Sequence, residues 1–141
     1  MFKIKVYLET SSTGGRIKEG MYGYLIEYNT PKGKQEIRNG YGKEKNTTGN
    51  RLALLALTES FSRLTKSCEV QVITGCESIL NVYKNGLLPL WEKGGWLTSK
   101  NEPVKNQDLW KKYRELSQNH VVTIEKGFNR HKYDMMAAMN L

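Results

Sequence analysis

The sequence is short of several things, and each shortage closes off a class of protein. It has only two cysteines among 141 residues, Cys68 and Cys76. The apolar run between them reads as an extended strand. At about 3.3 Å per residue, that strand holds the two thiols further apart than the roughly 7 Å a disulfide tolerates. Two cysteines with no nearby histidine also make a poor structural zinc site. Both are expected to be reduced, as in the cytoplasm. No run approaches the roughly 18 consecutive apolar residues of a membrane span, so no membrane partner is expected. The opening residues, MFKIKVYLET, alternate apolar and polar side chains, which predicts a strand and not an export signal. There is no repeat, linker or low-complexity stretch, and 16.2 kDa suits one domain spanning residues 1–141.

Acidic residues are also outnumbered. The formal net charge is +8 and the pI about 9.5, which suggests an anionic partner, most simply nucleic acid. Residues 1–66 hold twelve Lys and Arg against six Glu. Arg16, Lys18, Lys43 and Lys45 fall on the hairpin turns and third strand, as a binding surface or as a scattered solvated face. No small-molecule substrate is indicated.

What is present is a clear change of period. Residues 2–9 alternate as a strand, with Phe2, Ile4, Val6 and Leu8 on one face and Lys3, Lys5 and Tyr7 on the other. A Gly-rich turn, SSTGGRIKEG, precedes a second strand, MYGYLIEY, and a third covers about 35–41. From Asn50, apolar residues at three- and four-residue spacing predict a buried helix with Thr48 as its cap. VQVIT follows as a central buried strand, then a helix over about 77–84. The segment 87–96 carries Pro89, two Trp and Gly94–Gly95. A helix over 106–118, a strand over 120–125 and a short helix over 131–139 complete the chain. This order predicts one α/β domain, a mixed sheet with helices covering it.

Local motifs accompany that order. NTTGNRLAL resembles the T-x-N-R-M-E-L of the ribonuclease H type 1 family, and WEKGGWLTSKNEPVKNQDLW resembles the tryptophan-rich handle of its bacterial members. VQVITGCES stands where that family has a strand ending in T-D-S, and IEKGFNRHKYDMMA resembles W-V-K-G-H…N-x-x-A/C-D-x-L-A. The resemblance runs from residue 3 to 138. It implies a ribonuclease H-like fold: a five-stranded mixed sheet, three antiparallel strands and then parallel ones, flanked by helices, with a handle at about 87–105.

The resemblance also implies a site. In the family, four carboxylates hold two Mg²⁺ ions, hard cations that require oxygen ligands, beside the scissile phosphate. Carried over, those four positions fall on Glu9, Ala53, Gly75 and Asp134. Ala53 and Gly75 offer no side-chain oxygen, and Glu9 is one methylene longer than Asp. Glu59 would be turned away on its helix, whereas Glu77 could contribute. The expectations are therefore a non-catalytic ribonuclease H-like module binding nucleic acid, with no cofactor. The alternatives are a protein-binding effector or inhibitor, from a phage or mobile element, and residual metal-dependent ribonuclease H activity. In that last case Glu9 and Asp134, with Glu77, would hold one Mg²⁺. The implied nucleic-acid contacts are Thr48, Asn50 and Arg51 at the first helix, with Trp91, Lys93, Trp96, Lys100 and Lys105 in the handle. Trp91 and Trp96 also read as packing, and Asn50 as a cap. The family's loop histidine falls on Phe128, and His131 reads as a surface residue.

Overall fold

A computed structural model of the chain describes residues 1–141. The strands are β1 (Phe2–Thr10), β2 (Ile17–Asn29), β3 (Gln35–Thr47), β4 (Cys68–Ile73) and β5 (Val121–Glu125). The helices are α1 (Gly49–Ser62), α2 (Glu77–Lys84), α3 (Leu87–Lys93), α4 (Gln107–Ser117) and α5 (Lys132–Ala138). One five-stranded sheet forms in the order β3-β2-β1-β4-β5. β1, β2 and β3 are antiparallel neighbours, and β4 pairs parallel with both β1 and β5. The predicted fold class is the observed one. No helix is long and apolar enough to cross a membrane.

The hairpin β2–β3 is longer than its sequence suggests. The expected turn over 11–20 yields to strand from Ile17, and β3 continues past Tyr41 to Thr47. Residues such as Lys43, Glu44 and Lys45 lie on an edge strand, where the outer side is solvated and no apolar pattern is required. Gly40 and Gly42 fit here for a steric reason. A Cβ at either would lie 2.5 or 2.3 Å from the hydroxyl of Tyr24 or Tyr22, whose ring crosses the neighbouring backbone.

The main core lies between the sheet and α1. Thr48 caps α1, its Oγ1 accepting the Arg51 backbone N–H at 3.2 Å. Leu52, Leu54, Leu57 and Phe61 are fully buried along the helix. Phe61 meets Tyr113 of α4 edge-to-face at 5.1 Å, and Trp110 carries the stack on to Trp91 of the handle at 6.1 Å. Trp96 packs against this core beside Trp91, so both handle tryptophans serve packing.

The second face of the sheet departs from the simple alternation. Tyr7, grouped with lysines on the polar face, is 4% exposed and clusters with Leu25, Ile73 and Met135. Met135 of α5 is fully buried there. A two-residue period shows which residues share a face. It cannot show that a single short helix will later cover part of the polar one.

Arg51 joins elements instead of projecting outward. Its Nε donates to Glu44 of β3 at 2.9 Å, and its two terminal nitrogens donate to both oxygens of Asp108 on α4. A two-pronged contact of this kind fixes geometry as well as charge. Arg51→Ala is expected to lower the unfolding free energy by about 1–2 kcal/mol, read by urea denaturation.

Candidate functional site

A cleft of about 970 Å³ opens where the carboxyl ends of β1 and β4 meet the start of α1, the start of α2 and the segment leading into α5. Parallel pairing places it. β1 and β4 pair Tyr7 with Ile73; two residues further on, Glu9 is still held in β1 by its pairing with Gly23 of β2, while β4 has ended and Gly75 has left the sheet beside it. The turn after β1 is tied to α1 by the Gly49 N–H, which donates to the Gly14 carbonyl at 2.9 Å.

Glu9 is half-buried and held in place. The Asn129 amide donates to its Oε2 at 2.9 Å and also lies 3.4 Å from the Met135 sulfur. The Asn129 Oδ1 in turn accepts the His131 backbone N–H at 2.9 Å. Across the cleft, Asn50 is exposed, and its Oδ1 accepts the Cys76 thiol at 3.6 Å. Burial raises that thiol above its ordinary pKa, despite backbone donors at the start of α2. Glu77 lines the same cleft and pairs with Lys126 at 3.3 Å.

The segment from Lys126 to α5 is fastened by Glu27 of β2, a carboxylate only 7% exposed. Arg130 donates to its Oε1 at 2.7 Å, and His131 Nε2 lies 2.9 Å from its Oε2. Gln35 donates to Oε1 as well, at 3.1 Å. Burial alone would raise the carboxyl's pKa, but the His131 hydrogen bond and the Arg130 charge outweigh it, and it sits below the ordinary carboxylate range.

The structure redistributes the implied site residues. Glu9, Asn50, Ala53 and Gly75 line the cleft together. Asp134 does not: its side chain is exposed outside the cleft, on the side where its charge adds to burial in raising the Tyr41 phenol. In α5 the residues turned to the cleft are Lys132, Tyr133 and Met136, and Asp134 falls off that face. Thr48 and Arg51 are committed to the cap and the ion pairs already described. Arg16, Lys18, Lys43, Lys45, Lys93, Lys100 and Lys105 are exposed and lie outside the cleft.

Its cations are Lys126, Arg130 and Lys132, which sequence reasoning passed over, although KGFNRHKY is a basic run with no acid. His131, expected at the surface, is buried against Glu27 because that carboxylate needs donors. Glu59, turned away as expected, accepts the Tyr22 hydroxyl at 2.7 Å.

Those donors do not fit a pair of divalent cations. The cleft's carboxylates are Glu9 and Glu77, and no three Asp, Glu, His or Cys side chains converge anywhere closely enough to share an ion.

Residues 2–132 match the family model described as RNase H. The chain belongs to the ribonuclease H family. It is 36% identical over 119 residues to the Ribonuclease H of Thermoanaerobacter sp. (strain X514), covering 84% of this chain and 73% of that one. It is 34% identical over 131 residues to the Ribonuclease H of Lachnoclostridium phytofermentans, covering 92% and 83%. In fold it is similar to LC9-RNase H1, described as a type 1 RNase H with the type 2 active-site motif. The TM-score is 0.76 at 24% identity, over 99% of this chain and 70% of that chain.

These relatives overturn the expectation of a non-catalytic binding module or effector. Relatives bearing an enzyme's name align along 84% and 92% of this chain. The carboxylate count that argued for lost activity tested one ligand arrangement, drawn from four inherited positions. Glu77, weighed there as a possible contributor, does line the cleft, together with Asn50 and Thr74.

Glu27 generates a pH dependence. Its folded-state carboxyl titrates below its unfolded value, so its stabilisation is complete above about pH 4.3 and is lost as pH falls through the lower folded-state value. Urea unfolding should show a loss between pH 7 and pH 3 that is smaller in Glu27→Gln, which is itself less stable at pH 7 by about 1–3 kcal/mol.

Proposed function

We propose that this chain is a ribonuclease H that binds an RNA–DNA hybrid across the cleft and hydrolyses the RNA strand there. The observation that carries this is the alignment, over 73% and 83% of their length, of relatives named Ribonuclease H with a chain whose cleft lies at the ends of two adjacent parallel strands. The similarity to a type 1 enzyme with a type 2 active-site motif supports it, since the same fold then houses more than one arrangement of site residues.

The parts have separable roles. Lys126, Arg130 and Lys132 draw the phosphate backbone to the cleft. Asn50, exposed at the start of α1, hydrogen-bonds a sugar hydroxyl or phosphate oxygen. Glu9 is the carboxylate closest to the strand ends. With Oε2 held by Asn129, its Oε1 has no protein donor and is left to accept a proton from the water whose oxygen bonds phosphorus, as the bond from phosphorus to a ribose oxygen breaks and that oxygen leaves to take a proton from solvent. Glu77, paired with Lys126, supplies a second negative charge at the cleft mouth. The two free thiols support a reducing compartment, the cytoplasm.

End-labelled RNA–DNA hybrid incubated with the chain in Mg²⁺, in Mn²⁺ and in chelator should be cut within the RNA strand in at least one condition. Glu9→Gln should lower that rate by on the order of 10²-fold, with stability unchanged within about 0.5 kcal/mol. An intact RNA strand in every condition would overturn the proposal, as would equal cleavage by the variant.

A further inference from the structure

Phe128 and Tyr133 are the two most exposed of the large apolar side chains, at 87% and 91%. Both line the cleft that holds Glu9, and neither packs against another aromatic ring or the core. The fold gains nothing from leaving them in water, and single exposed aromatics elsewhere, such as Phe2 and Tyr83, are about half as exposed. The cations Lys126, Arg130 and Lys132 line the same cleft; Lys126 is paired with Glu77 and Arg130 with Glu27, whereas Lys132 has no carboxylate within ion-pair distance.

The segment that carries them is fixed from below. Asn129 is tied to Glu9, Arg130 and His131 to Glu27, and Met135 is buried under the sheet. Along 128–135, Asn129, Arg130, His131 and Met135 are the anchors, and Phe128 and Tyr133 project into solvent on either side of the first three. Two flat rings are presented on a segment already ordered before anything binds, so little ordering cost attends a contact with them.

We infer that Phe128 and Tyr133 form a stacking platform for unpaired nucleobases at the rim of the cleft, giving the chain a preference for hybrids that carry a single-stranded extension. The inference rests on the ribonuclease H reading and names a specificity within it. Unpaired bases are the occupant because surrounding cations suit a phosphate backbone. A paired base offers its face only at a helix end, whereas an unpaired base offers it to an aromatic ring freely. Stacking on an exposed ring strengthens binding roughly 5- to 100-fold per base.

The test is fluorescence anisotropy of the full chain, without divalent ions so that nothing is cleaved, at several salt concentrations. The probes are a blunt RNA–DNA hybrid and the same hybrid with a four-nucleotide single-stranded extension. The parent is expected to bind the extended hybrid at least about 5-fold more tightly. Phe128→Ala with Tyr133→Ala should abolish that difference while the blunt hybrid's affinity changes less than about 2-fold. Lys132→Gln should weaken both probes alike and reduce the salt dependence. Both aromatics are exposed, so the double variant folds, and an unchanged Tm checks it. Equal affinity of the parent for the two probes, or a difference that survives the double variant, overturns the inference and leaves the ribonuclease H reading standing. Binding to neither probe overturns both.

Discussion

The carboxylate of Glu27 lies in the interior of β2 and receives donors from distant parts of the chain: Gln35 across the hairpin, and Arg130 and His131 from the last segment. A buried ionised group without such partners would cost several kcal/mol, so the fold is committed to supplying them. That commitment places the segment 126–134. Held by two residues on Glu27, it sets Asn129 against Glu9 and Met135 under the sheet, and it closes one wall of the cleft. The site's geometry thus depends on a group that does not line it.

The rest of the cleft follows from strand pairing. Parallel β1 and β4 run out at the same end of the sheet, with β1 extending past Ile73 along β2 as far as Thr10. Glu9 and Gly75 are neighbours for this reason, and the capped start of α1 brings Asn50 and Ala53 to face them. A ligand meeting this edge encounters backbone and side chains from four separate segments, three cations and two carboxylates.

Much of this was legible in the residues, and the exceptions have identifiable causes. Leu52, Leu57 and Phe61 repeat at helical spacing, and VQVI is apolar throughout, so α1 and β4 could be read directly. The long β2–β3 hairpin was hidden because Lys43 to Lys45 sit on a solvated edge. Asp134 was matched to the site by motif, yet α5 begins at Lys132, and its phase turns Tyr133 and Met136 to the cleft instead. The anchoring role of His131 and Arg130 depends on Glu27, about a hundred residues away, and no local pattern signals such a pairing. The inference of lost activity failed for a related reason. Counting carboxylates at inherited positions says which oxygens are missing from one arrangement, and the enzymes to which this chain is related are a wider class than that arrangement.

The central claim is that the cleft beside Glu9 is where a phosphodiester bond is broken. Gly75 gives a direct handle on it, because a Cβ there would meet nothing within 4 Å and an added carboxylate would stand beside Glu9. The single-turnover rate of hybrid cleavage should be compared between the parent and Gly75→Asp in Mg²⁺. If the cleft is the reacting site, a negative charge placed beside Glu9 and against the phosphodiester should change the rate by on the order of 10-fold or more. An unchanged rate in a protein that binds the hybrid as the parent does would contradict the claim.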